Sequence, residues 1–235
     1  AIGDHALYAN TTGFENTALG TRALEANTTG AYNVAVGNTA LLNNTTAIAN
    51  TAVGSQAMSQ ATTGQENTAV GFSALKFITT HQKNTALGSG ALYNNLASFN
   101  TAVGSNAMYG TGGSGTENVA VGVGVLFELT TASYNVGVGF AALRKTTTGD
   151  SNVAVGHGAM YTNTTGSYNV AIGYQAKFSG TASDYSVAIG YQAGYSSTGS
   201  NDTSLGAYAM KNKTSGNNNV VLGYDALSTY AGGYS

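Results

Sequence analysis

A glycine that follows Val, Leu or Ile recurs along the whole chain, at Gly3, Gly20, Gly37, Gly54, Gly71, Gly88, Gly104, Gly122, Gly139, Gly156, Gly173, Gly190, Gly206 and Gly223. The interval is 17 residues except for 16 before Gly104, 18 before Gly122 and 16 before Gly206. A chance pattern would not hold phase over that length. One short unit is therefore built about fourteen times, and such units become stable by stacking on their neighbours.

Positions counted from that glycine each have their own chemistry. Position −4 is Asn in 11 of 13 copies, with Ser186 and Asp202 as exceptions. Position −3 is always Thr or Val, −2 is nearly always Ala, and −1 is always Val, Leu or Ile. Position +3 is Ala in 13 of 14 copies, and +4 is Leu or Met in 12 of 14, broken by Lys177 and Gly194. A turn-rich stretch, often Thr-Thr-Gly as at Thr11 to Gly13 and Thr28 to Gly30, joins one copy to the next.

The β-branched content of N-[TV]-A-[VIL] predicts a short strand. The marker glycine predicts a bend or a close backbone approach. The x-x-A-[LM] unit reads as a second short extended segment, and Thr-Thr-Gly as the wide turn. No stretch keeps a 3.6-residue period, so helix is not expected. The fold class is all-β: a parallel β-solenoid, or β-roll, of about 14 coils with 17 residues per coil. Residues 1–235 read as a single repeat domain, and a start at Ala1 within a repeat suggests a piece of a longer fibre protein.

The Asn column (Asn16, Asn33, Asn50, Asn67, Asn84, Asn100, Asn118, Asn135, Asn152, Asn169 and Asn219) has two readings. One is an amide ladder between coils; the other is a turn Asn bonding its own backbone. Strand alternation assigns −3 and −1, with +4, to the interior, and leaves the Ala columns at −2 and +3 as a small-residue seam. A seam of exposed Ala argues for sister chains, hence a parallel homo-oligomer, most simply a homotrimer.

Composition narrows the function. Charged residues are 8% and net charge is −2, which gives no electrostatic case for nucleic acid or an anionic membrane surface. With no Cys there are no disulfides or thiolate metal sites, and no apolar run reaches the ~18 residues of a membrane span. His5, His81 and His157 share no column and read as surface fillers. Glu15, Glu66 and Glu117 lie coils apart, so no carboxylate pair is placed for acid–base work. No catalytic residues, cofactor or metal are expected, and the chain does not read as an enzyme. N-x-T sequons at Asn10, Asn27, Asn44, Asn163 and Asn212 read as by-products of Asn/Thr-rich turns.

Aromatic residues gather at −5, +1 and +5. The richest group, Tyr168, Tyr174, Tyr185, Tyr191 and Tyr195, falls where Lys177 and Gly194 break the Leu/Met column, and is the candidate ligand-binding patch. Aligned Tyr rings can stack on sugars or protein partners with their hydroxyls wet. The alternative is that they stack on one another between coils.

The segments N-T-A-V-G-S-N-A-M (Asn100 to Met108) and S-Y-N-V-A-I-G-Y-Q-A (Ser167 to Ala176) resemble repeats of trimeric autotransporter adhesin heads. The 17-residue T-T-G-x-x-N-T-A-V-G-x-x-A-L version is similar to repeat regions of phage tail fibres and related bacterial surface proteins. Adhesin-head repeats are usually shorter, so fine geometry does not carry over. The resemblance implies β-rolls in threes about one axis, on a virion or cell surface or otherwise extracellular. It also implies a following chaperone domain that cleaves itself off, which would make Ser235 a cleavage end; an arbitrary boundary is the other reading. The expected function is the structural and adhesive shaft or head of such a fibre, with self-association and a host surface glycan or protein as partners. A purely structural filament or sheath is the alternative, and an ice-binding solenoid the second. Against ice binding stands the assignment of the Thr column to the interior.

Overall fold

The computed structural model describes residues 1–94, 96–110, 112–213 and 216–229; Ser235 lies outside them. The chain is an all-β parallel solenoid of thirteen three-residue strands and about 12 turns, with about 17 residues per turn. It divides into two compact units, residues 1–117 and 118–235.

The first unit contains β1 (Thr17–Leu19), β2 (Val34–Val36), β3 (Thr51–Val53), β4 (Thr68–Val70), β5 (Thr85–Leu87) and β6 (Thr101–Val103). Each pairs in parallel with the next, and like pairs with like: Thr17 with Val34, Ala18 with Ala35, Leu19 with Val36. The second unit contains β7 (Val119–Val121), β8 (Val136–Val138), β9 (Val153–Val155), β10 (Val170–Ile172), β11 (Val187–Ile189), β12 (Thr203–Leu205) and β13 (Val220–Leu222). Its register is the same, as in Val170 with Val187, Ala171 with Ala188 and Ile172 with Ile189.

The marker glycine is obligatory on two counts. Gly54 has φ near +132°, and a Cβ there would lie 2.5 Å from the carbonyl oxygen of Gly71 in the next coil. Backbones of successive coils touch here, so only a residue without a side chain fits.

After the glycine the structure departs from expectation. The x-x-A-[LM] segment is not extended but a run of overlapping turns. In one coil Ala23 N donates to Gly20 O (3.2 Å) and Asn27 N to Leu24 O (3.1 Å). Positions +2 and +4 take positive φ, as at Arg22 (59°) and Leu24 (53°), and so does position −5, as at Tyr32 (59°). Each such residue costs roughly 1–2 kcal/mol in isolation. Cross-coil bonds such as Leu24 N to Ala40 O (3.1 Å) continue the ladder around the turn and offset that cost.

This geometry inverts the expected interior. Ala at −2 is buried, as Ala35, Ala52 and Ala69 show, while the Thr or Val at −3 and the Val, Leu or Ile at −1 are half-buried or exposed. Both Ala at +3 and Leu or Met at +4 are buried together, as at Ala40 with Leu41 and Ala57 with Met58. Strand alternation holds only where the backbone is extended; through consecutive turns two neighbouring side chains can point inward. The lumen that remains opposite the strand accepts Ala, and the bulkier β-branched residues face out. The Ala columns are core, not a seam.

Both units run an Asn ladder. In the first, Asn33 donates its backbone N–H to Asn16 Oδ1 (2.9 Å) and its Nδ2 to the same oxygen (3.1 Å) and to Ala47 O (2.8 Å). The amide thus links successive coils and also ties down a turn of the following coil. In the second unit Asn152 repeats this with Asn135 Oδ1 (2.9 and 3.1 Å) and Gly166 O (2.8 Å). The exceptions keep the acceptor: Asn219 N donates to Asp202 Oδ1 (3.0 Å), and Asp202 N to Ser186 Oγ (3.4 Å). At the wide turn, Thr28 Oγ1 donates to Thr45 O (3.0 Å), and the same pattern runs from Thr147 to Thr164 (3.1 Å).

Candidate functional site

With −4 and −2 pointing inward, the residues at −5, −3, −1 and +1 share the outer face of the sheet. In the second unit the −3 and −1 columns of this face are apolar from β7 to β11, and the −5 and +1 positions add aromatic rings at some coils, with Ser151 and His157 standing there at β9. Across β8, β10 and β11 the face reads Tyr134-Val136-Val138-Phe140, Tyr168-Val170-Ile172-Tyr174 and Tyr185-Val187-Ile189-Tyr191. Tyr168, Tyr174, Tyr185 and Tyr191 are between 41% and 61% exposed. A contiguous strip of this kind is unusual on a free protein surface.

The five candidate tyrosines fall into three stacks along the coil direction. Tyr168 and Tyr185 lie face to face on one edge of the strip, centroids 4.9 Å apart at 3°. Tyr174 and Tyr191 do so on the other edge, at 5.1 Å and 9°. Tyr195 belongs to a separate column and stacks on Phe178 at 5.2 Å and 2°. Each ring covers one face of its stack neighbour, so the stacks offer a partner their end faces, edges and hydroxyls. Offset stacking of this kind contributes about 0.5–1.5 kcal/mol per pair beyond burial.

Column membership also changes the reading of His157. It is exposed, as a surface position predicts, and it also sits at +1 between Phe140 (5.0 Å) and Tyr174 (5.1 Å), both at 19°, as a member of the aromatic stack. Its position in the repeat, the same as Tyr174, was the signal. Sequons at Asn27, Asn44 and Asn163 are fully buried, their amides bonded inside the coil, as in Asn44 Nδ2 to Asn27 Oδ1 (2.7 Å).

Beneath the tyrosine strip the core is polar. Lys177 replaces the usual Leu or Met and is 1% exposed. Burial drives its pKa below the ordinary 10.5 to about 8; Asp202 and Asp184 pull it up, and Lys213 pulls it further down. Lys213 and Asp202 form a buried ion pair (2.7 Å). Asp202 also accepts from Asn219 Nδ2 (2.9 Å) and Ser197 Oγ (3.3 Å). Three partner residues on one buried carboxylate, with Asn219 donating both its Nδ2 and its backbone N–H, fit the rule that a buried charge must be paired and hydrogen-bonded.

The eight Lys and Arg of the chain are dispersed. Lys76, Lys83, Arg144, Lys145 and Lys211 lie over aromatic rings, Arg22 pairs with Glu25, and Lys177 and Lys213 are in the core. Among the described residues no group of three or more His, Cys, Asp or Glu side chains is placed to hold a metal ion. No protein-family model, curated protein or solved structure matches the chain.

Proposed function

We propose that this chain is the structural and adhesive shaft or head of an extracellular, cell-surface or virion fibre, without enzymatic activity, that attaches to a host or other surface. The observation that carries the reading is the outward apolar strip of the second unit, two residues wide over successive coils from β7 to β11 and widened to four by flanking rings at β8, β10 and β11. A strip of this width that repeats at strand spacing matches another copy of itself in register, so the first partner is a sister chain in a parallel assembly, most simply a homotrimer. The contact is made by the outward Val and Ile and the flanking Tyr stacks, not by the Ala columns. Aromatic stacks left outside that contact face the attachment partner, a surface glycan or protein. Sedimentation velocity tests the first step: a discrete oligomer is expected, and a monomer at micromolar concentration overturns it. Retention of the chain on cell or glycan surfaces tests the second.

A second reading is favoured by the first unit. Thr17, Thr51, Thr68, Thr85 and Thr101 point outward from the sheet and not into the core. Thr51, Thr68, Thr85 and Thr101 follow one another coil by coil, with Val34 between them and Thr17. Hydroxyls repeated at about 4.8 Å are suited to ordering water, and thermal hysteresis measurements decide whether the chain binds ice. A purely structural filament would show assembly without attachment.

A further inference from the structure

The +1 column that is stacked in the second unit is interrupted in the first. Phe72 stands at the position of Tyr174, but its neighbours one coil below and above are Ser55 and Ser89. Phe72 is 59% exposed and makes no ring contact among the described residues. Next to Ser89, Gly90 occupies the column that carries Gln56 and Ser73 in the preceding coils. A side chain on Gly90 would begin 2.5 Å from Asn106 Oδ1 and 3.5 Å from the ring of Tyr109. The two small residues leave a cavity of about 290 Å³ between Phe72 and the stacked pair Tyr93–Tyr109, close to the lower end of ligand-pocket volumes, about 300 Å³.

The polar groups of this cavity are held in place. Gln56 Oε1 accepts from Ser73 Oγ (3.2 Å) and Lys76 Nζ (2.9 Å). The Lys76 ammonium is thereby kept over Phe77 (5.4 Å) and Tyr93 (5.7 Å). Lys76 is the one charged side chain lining the cavity, and no carboxylate lines it. The set is an aromatic face uncovered by other rings, one oriented cation, and amide and hydroxyl groups around them. A flat apolar face with equatorial hydroxyls and one negative charge is the complement of that set.

We propose that this cavity binds a single acidic pyranose, a uronic or sialic acid unit of a larger glycan, with the sugar face on Phe72 and its carboxylate on Lys76. The inference rests on the adhesive reading and names the ligand class for one site in the first unit.

The test uses the full chain titrated with sodium glucuronate, N-acetylneuraminate, neutral methyl glucoside and acetate, followed by saturation-transfer NMR. Expected is saturable millimolar binding of at least one acidic sugar, about fivefold or more tighter than the glucoside at low ionic strength, with the gap narrowing as salt screens Lys76. Phe72→Ala weakens acidic and neutral sugars alike, by about tenfold, a loss expected of one aromatic contact. Lys76→Gln removes only the preference for acid. Gly90→Gln fills the cavity with a residue that the same column already carries at positive φ, and abolishes both, with the melting temperature showing that the fold persists. Absence of saturable binding by both acidic sugars, acetate binding as tightly as they do, or binding indifferent to Phe72→Ala and Gly90→Gln overturns the site. Surface retention is scored separately. A chain that binds an acidic sugar yet attaches to no surface keeps the site and overturns the adhesive reading. A chain that attaches without acidic-sugar binding keeps the adhesive reading and overturns the site.

Discussion

In the first unit the outward −3 column reads Thr17, Val34, Thr51, Thr68, Thr85, Thr101; in the second it reads Val119, Val136, Val153, Val170, Val187, Thr203, Val220. The +1 column differs in the same sense. Thr21, Asn38, Ser55, Ser89 and Ser105 predominate in the first unit, against Phe140, His157, Tyr174 and Tyr191 in the second. Thr and Val have nearly the same shape and β propensity, so the coil is unchanged by the exchange. Only what the face presents to its surroundings changes. Backbone and lumen set the coil, while the outward columns are free to specialise, one unit toward hydroxyls and the other toward apolar contact.

The largest test of that division is the shared backbone. Gly54→Ala in the first unit and Gly173→Ala in the second each place a Cβ within about 2.5 Å of the next coil's carbonyl, at positive φ. Both are expected to cost about 4 kcal/mol or more, read by chemical denaturation. A tolerated alanine in either unit would show that its coils are not in backbone contact.

Lys177→Met separates the units next. The folded-state pKa lies below the unfolded one, so between about 8 and 10.5 the unfolded chain holds a proton that the folded chain lacks. Stability therefore rises with pH through that window, and below it the folded state bears the full penalty of the buried charge, about 3 kcal/mol. Lys177→Met restores the column residue and is expected to raise stability at pH 7 by about 2–3 kcal/mol, with the pH dependence above 8 flattened. Denaturation at pH 7 and 9.5 checks both, and an equal pH slope in wild type and variant would overturn the assignment.

Asn50→Ala leaves the buried N–H of Asn67 and the carbonyl of Gly64 unpaired, and Asn152→Ala leaves the buried N–H of Asn169 unpaired while Gly166 O keeps its bond from Asn163 Nδ2 (2.9 Å). About 2 kcal/mol is expected from each, measured by thermal unfolding. Ser186→Ala is expected to cost less, since Ser186 Oγ receives only a long bond from Asp202 N (3.4 Å).

The smallest effect on stability and the sharpest on function comes from exchanging the faces. Val153, Val170 and Val187→Thr is expected to change stability by under about 0.5 kcal/mol per site while weakening self-association about tenfold or more, read by sedimentation. Thr51, Thr68 and Thr85→Val is expected to strengthen association. Unchanged oligomer distributions in both would remove the strip from the interface.

The fold was legible because a fixed period leaves few alternatives: the same residue pairs with itself, coil after coil, and the marker glycine names the place of closest approach. The candidate tyrosines were legible as columns, with stacking between coils as one of two readings, and the geometry decides for stacking. A column says that rings are aligned, whereas 4.9 Å and 3° between Tyr168 and Tyr185 say that each covers one face of the other. Lys177 was visible as a break in the Leu/Met column. That its head would share a core with Asp202 and Lys213, 25 and 36 residues further on, was not visible, because those residues occupy two other columns and meet only through the lumen. The Phe72 cavity is not legible in the sequence because it is opened by the small side chains of Ser89 and Gly90, which stand in variable columns of the repeat.

Sequence alone determined the period, the parallel pairing of like with like, the Asn column and the absence of helix, since all of these follow from local chemistry repeated in phase. Tertiary structure decided which side of the coil is inside. Positive φ at +2 and +4, seen at Arg22 and Leu24, bends the x-x-A-[LM] segment so that Ala and Leu both enter the lumen. The space left for the strand then fits Ala18 but not Thr17 or Leu19. Alternation along a strand fixes that neighbours point to opposite sides, and only the closed coil says which of those sides is the core.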